Sequence, residues 1–388
     1  MRRTITCLLL GLGFCHPLAA QGIFINYSTA DGMVSNDSKS VAVDQLGRVW
    51  IGAKGIGLSM FNGTYFTKYT PVNSSLDGSP IKNIFIDSRG RIWFCQASSG
   101  LAIYDGTSWY GYSSTDGLIY NHTFMVAEYS GKYLVATQLG LGILDGVQWS
   151  SLTRFDGLAE DFLGYVYVDS KNTVWLGNRT MGVTYGNPED GWTTTDLSDD
   201  DTPTQVRVLL EDLDGNLWIG TRGKGAVRYD GSEWKTFTTS DGLGSDNIWG
   251  MAVDSSGNMW FATNGGGLSV FSGSNWDTYT VEDAGYTGED HAGWIWASAV
   301  AVAADGSIWV VTGAGASRLP PENIRPLGPI CDINRDGRNN VIDIFSLILI
   351  QRNNSSDPRA DHNGDGQLSI ADVIDLLLDI RDGVCNSP

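Results

Sequence analysis

Basic residues are scarce in this 388-residue sequence. Only 25 Lys and Arg stand against 44 Asp and Glu, giving a net charge of −19 at pH 7. A phosphate backbone is held by a basic footprint, so this balance argues against nucleic acid as a partner. Histidine is rarer still: His16, His122, His291 and His362 are the four. No G-x-S-x-G, H-E-x-x-H or catalytic-thiol pattern occurs, and no pair of carboxylates stands out as that of a glycosidase. The sequence therefore points to binding more than to catalysis. Long apolar runs are missing after the N-terminus. The one present, over residues 5–15, follows Arg2 and Arg3 and precedes "HPLAA". It is too short to span a bilayer and reads as an export signal over 1–20, cleaved after Ala20. Phe14 before Cys15 argues against a lipoprotein signal. The expected mature chain is secreted, extracellular or at the cell surface, with no transmembrane segment. Of five cysteines, Cys7 and Cys15 leave with the signal and Cys95 reads as a buried small apolar residue.

What is abundant is Gly, with 49, and Trp, with 14. They fall in a repeat. "GRVWIG", "GRIWFC", "GKYLVA", "NTVWLG", "GNLWIG", "GNMWFA" and "GSIWVV" align on Trp50, Trp93, Leu134, Trp175, Trp218, Trp260 and Trp309, spaced 43, 41, 41, 43, 42 and 49 residues apart. Six residues before the aligned position stands an acid in six units, and Ala303 in the seventh. Each unit reads as four short strands, with Asp-Gly or Asn-Gly turns between the last two, as in "AVRYDGSEWKTF". Four strands in about 42 residues make one blade of a β-propeller. The seventh unit ends at "GASRLPP" without an outer strand, whereas "IFINYSTADGM" near the N-terminus matches the outer strand and turn of "WKTFTTSDGL". The N-terminal strand is thus expected to complete the last blade, so that deleting residues 21–33 should lower stability.

These units, of which "EDLDGNLWIGTRGKGAVRYDGSEWKTF" at 211–237 is a close match, resemble the two-component regulator propeller repeat. The resemblance covers about residues 22–319. It implies a seven-bladed β-propeller, often the extracellular sensor part of hybrid histidine kinases. No kinase-like segment follows the repeats here, so the fold is carried over and the signalling is not.

Prolines 320, 321, 326 and 329 mark a stiff linker over 320–330, and a unit of different composition occupies 331–388. It holds two loops, "DINRDGRNNVID" and "DHNGDGQLSIAD", 29 residues apart, each followed by an apolar helical stretch. Both fit the calcium loop of an EF-hand. The ligands are Asp332, Asn334, Asp336, Arg338 (backbone carbonyl), Asn340 and Asp343, then Asp361, Asn363, Asp365, Gln367 (backbone carbonyl), Ser369 and Asp372. Gly337 and Gly366 supply the tight turn. Carboxylates and amide carbonyls crowded on such a loop suit a hard cation with about seven oxygen ligands. By contrast, the D-x-D-G at Asp212 and Asp214 recurs as a blade turn and is assigned no metal. With 10 Asp against 5 Arg, the unit would gain from two Ca²⁺ ions. Cys331 and Cys385 lie at its ends, and in an exported protein a disulfide between them is expected, two free thiols being the alternative. The duplicated loop and helix resemble a type I dockerin, which binds two calcium ions and docks onto a cohesin. The resemblance implies a cohesin-like partner. Asn339, and 341–342 and 370–371 in place of paired Ser/Thr, depart from the family and bear on the cohesin contact more than on calcium.

The fold class read from the sequence is therefore mainly β: a seven-bladed β-propeller over 21–319, closed by an N-terminal outer strand, plus a small α-helical duplicated EF-hand-like domain. Propellers bind most often over the central channel. The loops after the second strand of each blade place Lys54, Gln96, Gln138, Arg179, Arg222, Lys224 and Asn264 on one face. The loops between blades add Asp37, Tyr120, Asn121, His122, Asp246 and Asn247, and an insertion before the last blade, "YTGEDHAGWIW", adds Glu289, Asp290, His291, Trp294 and Trp296. The candidate ligand residues are His122, Arg179, Arg222, Lys224, Asp290, His291, Trp294 and Trp296, suited to a carbohydrate or peptide. The alternative for the two insertion tryptophans is packing against neighbouring blades. The leading reading is an exported binding protein tethered through calcium. The rival is a propeller enzyme carried by the same module, a polysaccharide-active hydrolase or a lyase. Propeller lyases related to streptogramin lyase use a His and acids over the channel, which makes His122, or His291 with Asp290, the residues to watch.

Overall fold

The computed structural model describes residues 23–197, 204–273, 275–281, 283–285 and 297–325. The expected signal segment (1–20), the insertion residues Glu289, Asp290, His291, Trp294 and Trp296, and the calcium-loop unit (331–388) with Cys331 and Cys385 lie outside the described residues.

Seven antiparallel sheets of four strands each follow one another along the chain. Their first strands, Ser38–Val43, Ile81–Ile86, Thr123–Tyr129, Leu163–Val168, Val206–Glu211, Ile248–Val253 and Ala299–Val302, lie side by side in a ring around the axis. The ring closes between the first and the last of them. This is a seven-bladed β-propeller, as the repeat requires.

The second strand of a blade is covered on both faces by its neighbours. Val49–Ala53, Ile92–Gln96, Leu217–Thr221, Met259–Thr263 and Ile308–Thr312 are buried at every position. That is why the sequence shows continuous apolar runs there and not an alternation. The glycine of "WIG" has a steric cause. A Cβ on Gly220 would stand 2.7 Å from Ile248 in the next blade. Blade 2 carries Cys95 at this column, fully buried, its thiol pushed up to about 12 by burial.

In the five blades that have both an acid six residues upstream and the repeat tryptophan, the acid receives the indole N–H; Trp309 has Ala303 at that place. Trp50 donates to Asp44 at 2.9 Å, Trp93 to Asp87 at 3.0 Å, Trp175 to Asp169 at 2.9 Å, Trp218 to Asp212 at 2.7 Å and Trp260 to Asp254 at 2.9 Å. The same carboxylates accept backbone N–H groups of the turn that joins the two strands, as Asp212 does from Asp214 and Asn216. One acid thus satisfies a buried indole and fixes a hairpin at once. In blade 3 the aligned residue is Leu134, and Glu128 instead accepts from the backbone and hydroxyl of Ser88 in blade 2.

Closure follows the sequence expectation. The strand Ile25–Tyr27 pairs with Gly315–Leu319, so that Tyr27 lies opposite Ala316. Tyr27 stacks on Trp309 with centroids 5.3 Å apart. Residues 320–325, the described part of the Pro-rich segment, lie against the propeller. Asn323 donates to the Ile23 carbonyl at 2.7 Å, and the Arg325 amide donates to the Tyr279 hydroxyl at 2.6 Å.

Candidate functional site

Six of the seven first strands carry a bulge near their start, on the face where blades connect. The displaced residues are Lys39, Lys82, Phe124, Gly164, Arg207 and Trp249. A bulged residue is re-aimed out of the ladder, and here the axis is what it meets. Side chains from blades that are not neighbours come together. Lys39 of blade 1 lies 5.9 Å from the Trp249 ring of blade 6, and Arg207 of blade 5 lies 4.9 Å from the same ring. Lys82 of blade 2 feels first burial, then Arg207 and Lys39, and all three hold its ammonium below the ordinary lysine range. Burial, followed by Arg222 and Arg179, likewise disfavours the charged form of Arg207.

The loops around this mouth are held by the backbone. The amides of Lys54, Ala97, Gln138, Arg222 and Asn264 donate to the carbonyls of Asp37, Pro80, His122, Gln205 and Asn247. In blade 4, Glu160 braces the loop that carries Arg179, accepting from the amides of Thr180 at 2.7 Å and Met181 at 2.8 Å. Arg179 then sits 5.0 Å from the Phe162 ring. Phe162 packs on Phe124 at 5.1 Å, and Phe124 stacks on His122 at 4.6 Å. His122 bonds Gln138, and burial followed by the Lys82 charge keeps its pKa below the ordinary histidine value, so it is neutral at pH 7. Its Nε2 and the Nε of Arg207 are buried without a hydrogen-bond partner among the described residues. Just below the mouth, the Tyr165 hydroxyl of blade 4 bonds Asn83 of blade 2 across the axis. This contact floors the site.

Of the residues chosen from the sequence, His122, Arg179 and Arg222 meet at this mouth. Lys224 lies on the same loop as Arg222, its amide held by the Thr221 hydroxyl at 3.1 Å. Asp290, His291, Trp294 and Trp296 lie outside the described residues. Others on the face are used within loops. Lys54 pairs with Asp37 at 3.3 Å, the Gln96 side chain accepts from the Asp77 amide at 2.9 Å, Asn121 from Ser114 at 2.6 Å and Asp246 from Thr239 at 2.7 Å. Sequence reasoning passed over Lys39, Lys82, Phe124, Arg207 and Trp249. Their signal was present: eleven residues before the repeat tryptophan, or ten before Leu134, is a column where the repeat stops repeating. Among the described residues no group of His, Cys, Asp and Glu could hold a metal ion, and no helix is long and apolar enough to cross a membrane.

The family model "Two component regulator propeller" matches residues 242–265. No curated protein matches the chain. Among solved structures, the chain is similar to the extracellular domain of the putative hybrid two component system BT3049 from B. thetaiotaomicron. They share 19% identity over 76% of this chain and 41% of that one, with a TM-score of 0.65. The extracellular domain of the putative hybrid two component system BT4673 from the same organism gives 17% identity, 82% and 42% coverage and a TM-score of 0.62. Virginiamycin B lyase from Staphylococcus aureus gives 14% identity, 76% and 97% coverage and a TM-score of 0.58. The chain thus spans about two-fifths of the length of the sensor domains it matches. These likenesses show the fold: a propeller built like those of extracellular sensor domains, and like that of a lyase.

Proposed function

We propose that this chain is an exported recognition protein whose propeller binds an extracellular ligand over the mouth of its central channel. One observation carries the reading: polar and aromatic side chains from non-adjacent blades converge at the axis, above the floor made by Tyr165 and Asn83. Structural packing asks for none of this convergence, because the blades are already joined through their buried second strands. The likeness to extracellular sensor domains supports the location, and the apolar segment over 5–15 supports export. The rival enzymatic reading has less support. Among the described residues the polar groups acting on His122 are Gln138 and Lys82, neither of them the acid that a lyase-like proton transfer would need beside it.

We further propose that the 331–388 unit binds two calcium ions and tethers the propeller to a cohesin-like partner. The donor set fits: Asp332, Asn334, Asp336, Asn340 and Asp343, and Asp361, Asn363, Asp365, Ser369 and Asp372, offer oxygen only. Bound calcium would neutralise the loop carboxylates and stabilise the unit.

The test uses the full mature chain. Calorimetry with Ca²⁺ should give about two sites, reduced by Asp332→Ala and by Asp361→Ala. No heat of binding would overturn the calcium reading. For the propeller, a panel of extracellular saccharides and peptides is titrated while Trp fluorescence is followed, with product analysis of each mixture. A ligand that binds unchanged, and more weakly to Trp249→Ala, supports recognition. Turnover of that ligand, lost in His122→Ala, would overturn it in favour of the enzyme.

A further inference from the structure

Among the described residues, most cations at the channel mouth have no carboxylate partner to explain them. Lys39 alone has one, Asp37 at 3.5 Å, and that acid also serves Lys54. Among the described residues, Lys82, Arg179, Arg207 and Arg222 form no ion pair with an acid. Such an arrangement is costly. Like charges are brought together from blades 1, 2 and 5, where burial weakens their solvation. It also runs against the molecule as a whole, whose net charge is −19. A chain with so few cations to place has put several at one opening. Structural needs elsewhere are met differently, for example by pairing Arg48 with Asp44 at 2.6 Å and Arg91 with Asp87 at 2.6 Å.

We infer that the mouth of the channel is an oxyanion-binding site, taking a small or end-on ligand that carries carboxylate, sulfate or phosphate groups. This rests on the reading of the mouth as the recognition site and names the chemistry of what enters it. Among the described residues, Arg207 presents a buried Nε without a hydrogen-bond partner, and His122 an Nε2 in the same state. The first is an N–H donor that an anionic oxygen would satisfy. Trp249 lies against both Arg207 and Lys39, which orients their heads toward the axis. Phe124 and Phe162, lined by His122 and Arg179, form an apolar wall for the ligand's body. Gly164, the bulged residue of blade 4, adds no side chain to the mouth, and its backbone packs close to blade 5, where a Cβ would stand 3.2 Å from the Val206 carbonyl. Lys39, Lys82, Arg179, Arg207 and Arg222 gather at one mouth of an acidic protein. That suits a short ligand entering along the axis and not a long polyanion lying over the surface.

The experiment titrates the full mature chain with inorganic phosphate, citrate, a uronic-acid disaccharide, a sulfated disaccharide and a neutral disaccharide, following Trp fluorescence and calorimetry. At least one oxyanion probe should bind in the millimolar range or tighter, and more weakly as salt rises. The neutral disaccharide should bind at least tenfold more weakly. Arg207→Ala and Lys82→Met should each weaken the oxyanion at least tenfold, and Lys68→Ala, on an outer strand, should leave it unchanged. Which probe binds best separates a phosphate from a carboxylated or sulfated source. If the neutral disaccharide binds equally well and Arg207→Ala has no effect while Trp249→Ala does, the oxyanion inference falls and the recognition site stands. If no oxyanion probe binds, the inference falls. If binding is indifferent to all three mouth variants, both readings fall. Circular dichroism and the melting temperature of each variant separate lost binding from lost fold.

Discussion

The Arg207 guanidinium lies 4.9 Å from the centre of the Trp249 indole, and the two residues stand at equivalent positions of adjacent blades. Each is the displaced residue of a bulge. The ladder elsewhere in the first strand sends side chains between blades, where volume is fixed by neighbours such as Gly220 against Ile248. At the bulge that constraint is lifted. The chain can hold Lys, Phe, Gly, Arg or Trp there without disturbing the blade. Function can therefore vary at this column while the scaffold keeps its repeat.

Lys82 should show the cost of that arrangement. Burial, then Arg207 and Lys39, lower its pKa. A lysine held below its ordinary value keeps fewer protons in the folded state than in the unfolded one. Stability contributed at this site therefore rises with pH, between the lowered value and about 10.4. Lys82→Met removes the penalty and keeps the aliphatic length. The expected result at pH 7 is a gain of about 0.5–2 kcal/mol, a melting temperature higher by about 1–4 °C, with anion binding weakened. Thermal melts at pH 7 and pH 10 check it. The gap between variant and wild type should narrow at the higher pH.

Asp87 is expected to behave in the opposite sense. Burial opposes its charge, but hydrogen bonds from the Trp93 indole, and from the Arg91 backbone and side chain, outweigh it and lower its pKa. It also accepts from the Tyr133 hydroxyl of blade 3 at 3.1 Å. With the folded pKa below the unfolded one, the stability it supplies is complete above about pH 4 and is lost as pH falls through the folded value. Asp87→Ala would leave a buried indole N–H and the Arg91 guanidinium without their acceptor, a loss of about 2–4 kcal/mol. Asp87→Asn should cost less and flatten the acid limb of stability. Urea midpoints measured from pH 7 down to pH 3 test both.

The blade count, the closure and the acid–tryptophan column were legible in the sequence because they recur. A buried indole, a turn and an interblade glycine impose the same demand in each blade, so residues such as Asp212, Trp218 and Gly220 repeat. The mouth was legible only in part. His122, Arg179 and Arg222 could be placed on the right face from loop position alone. Lys39, Lys82 and Arg207 showed only as a column where the repeat breaks, and that they meet was not legible, because they are dozens of residues apart and come together only when the ring is closed. Trp249 gave the clearest hint. It sits outside the repeat column, so the interblade packing that explains Trp218 does not explain it.

Arg325 should act as a latch on the closed ring. Its guanidinium reaches Asp277 at 3.3 Å and bonds Asp283, and it lies 4.6 Å from the Tyr279 ring. The segment it holds includes Asn323, which bonds the Ile23 carbonyl. Arg325→Ala is expected to cost roughly 1–3 kcal/mol by leaving two carboxylates unpaired beside each other. Hydrogen exchange should quicken in peptides covering 23–27 and 320–325, and stay unchanged in the first strands. Equal protection in the variant would show that the latch is held by Ile324 and its apolar contacts instead.

The closing strand Ile25–Tyr27 is short, yet much depends on it. It covers the free edge of Gly315–Leu319, and its neighbours Phe24 and Met33 are buried in the core. Its side-chain contacts reach across the seam: the Ser317 hydroxyl donates to Asn26 at 2.6 Å, and Asn26 donates to the Ala284 carbonyl at 2.8 Å. Removing residues 21–33 would expose that edge and empty the places of Phe24, Tyr27 and Met33. Each large buried side chain is worth about 2–5 kcal/mol, so the loss should be on the order of 5 kcal/mol or more. An uncovered strand edge is also a template for pairing with another chain. The truncated protein should melt at a markedly lower temperature and elute as dimers or larger species in size exclusion, whereas Tyr27→Ala should lower the melting temperature and remain monomeric. An unchanged melting temperature in the truncated chain would show that the ring is held shut without its N-terminal strand.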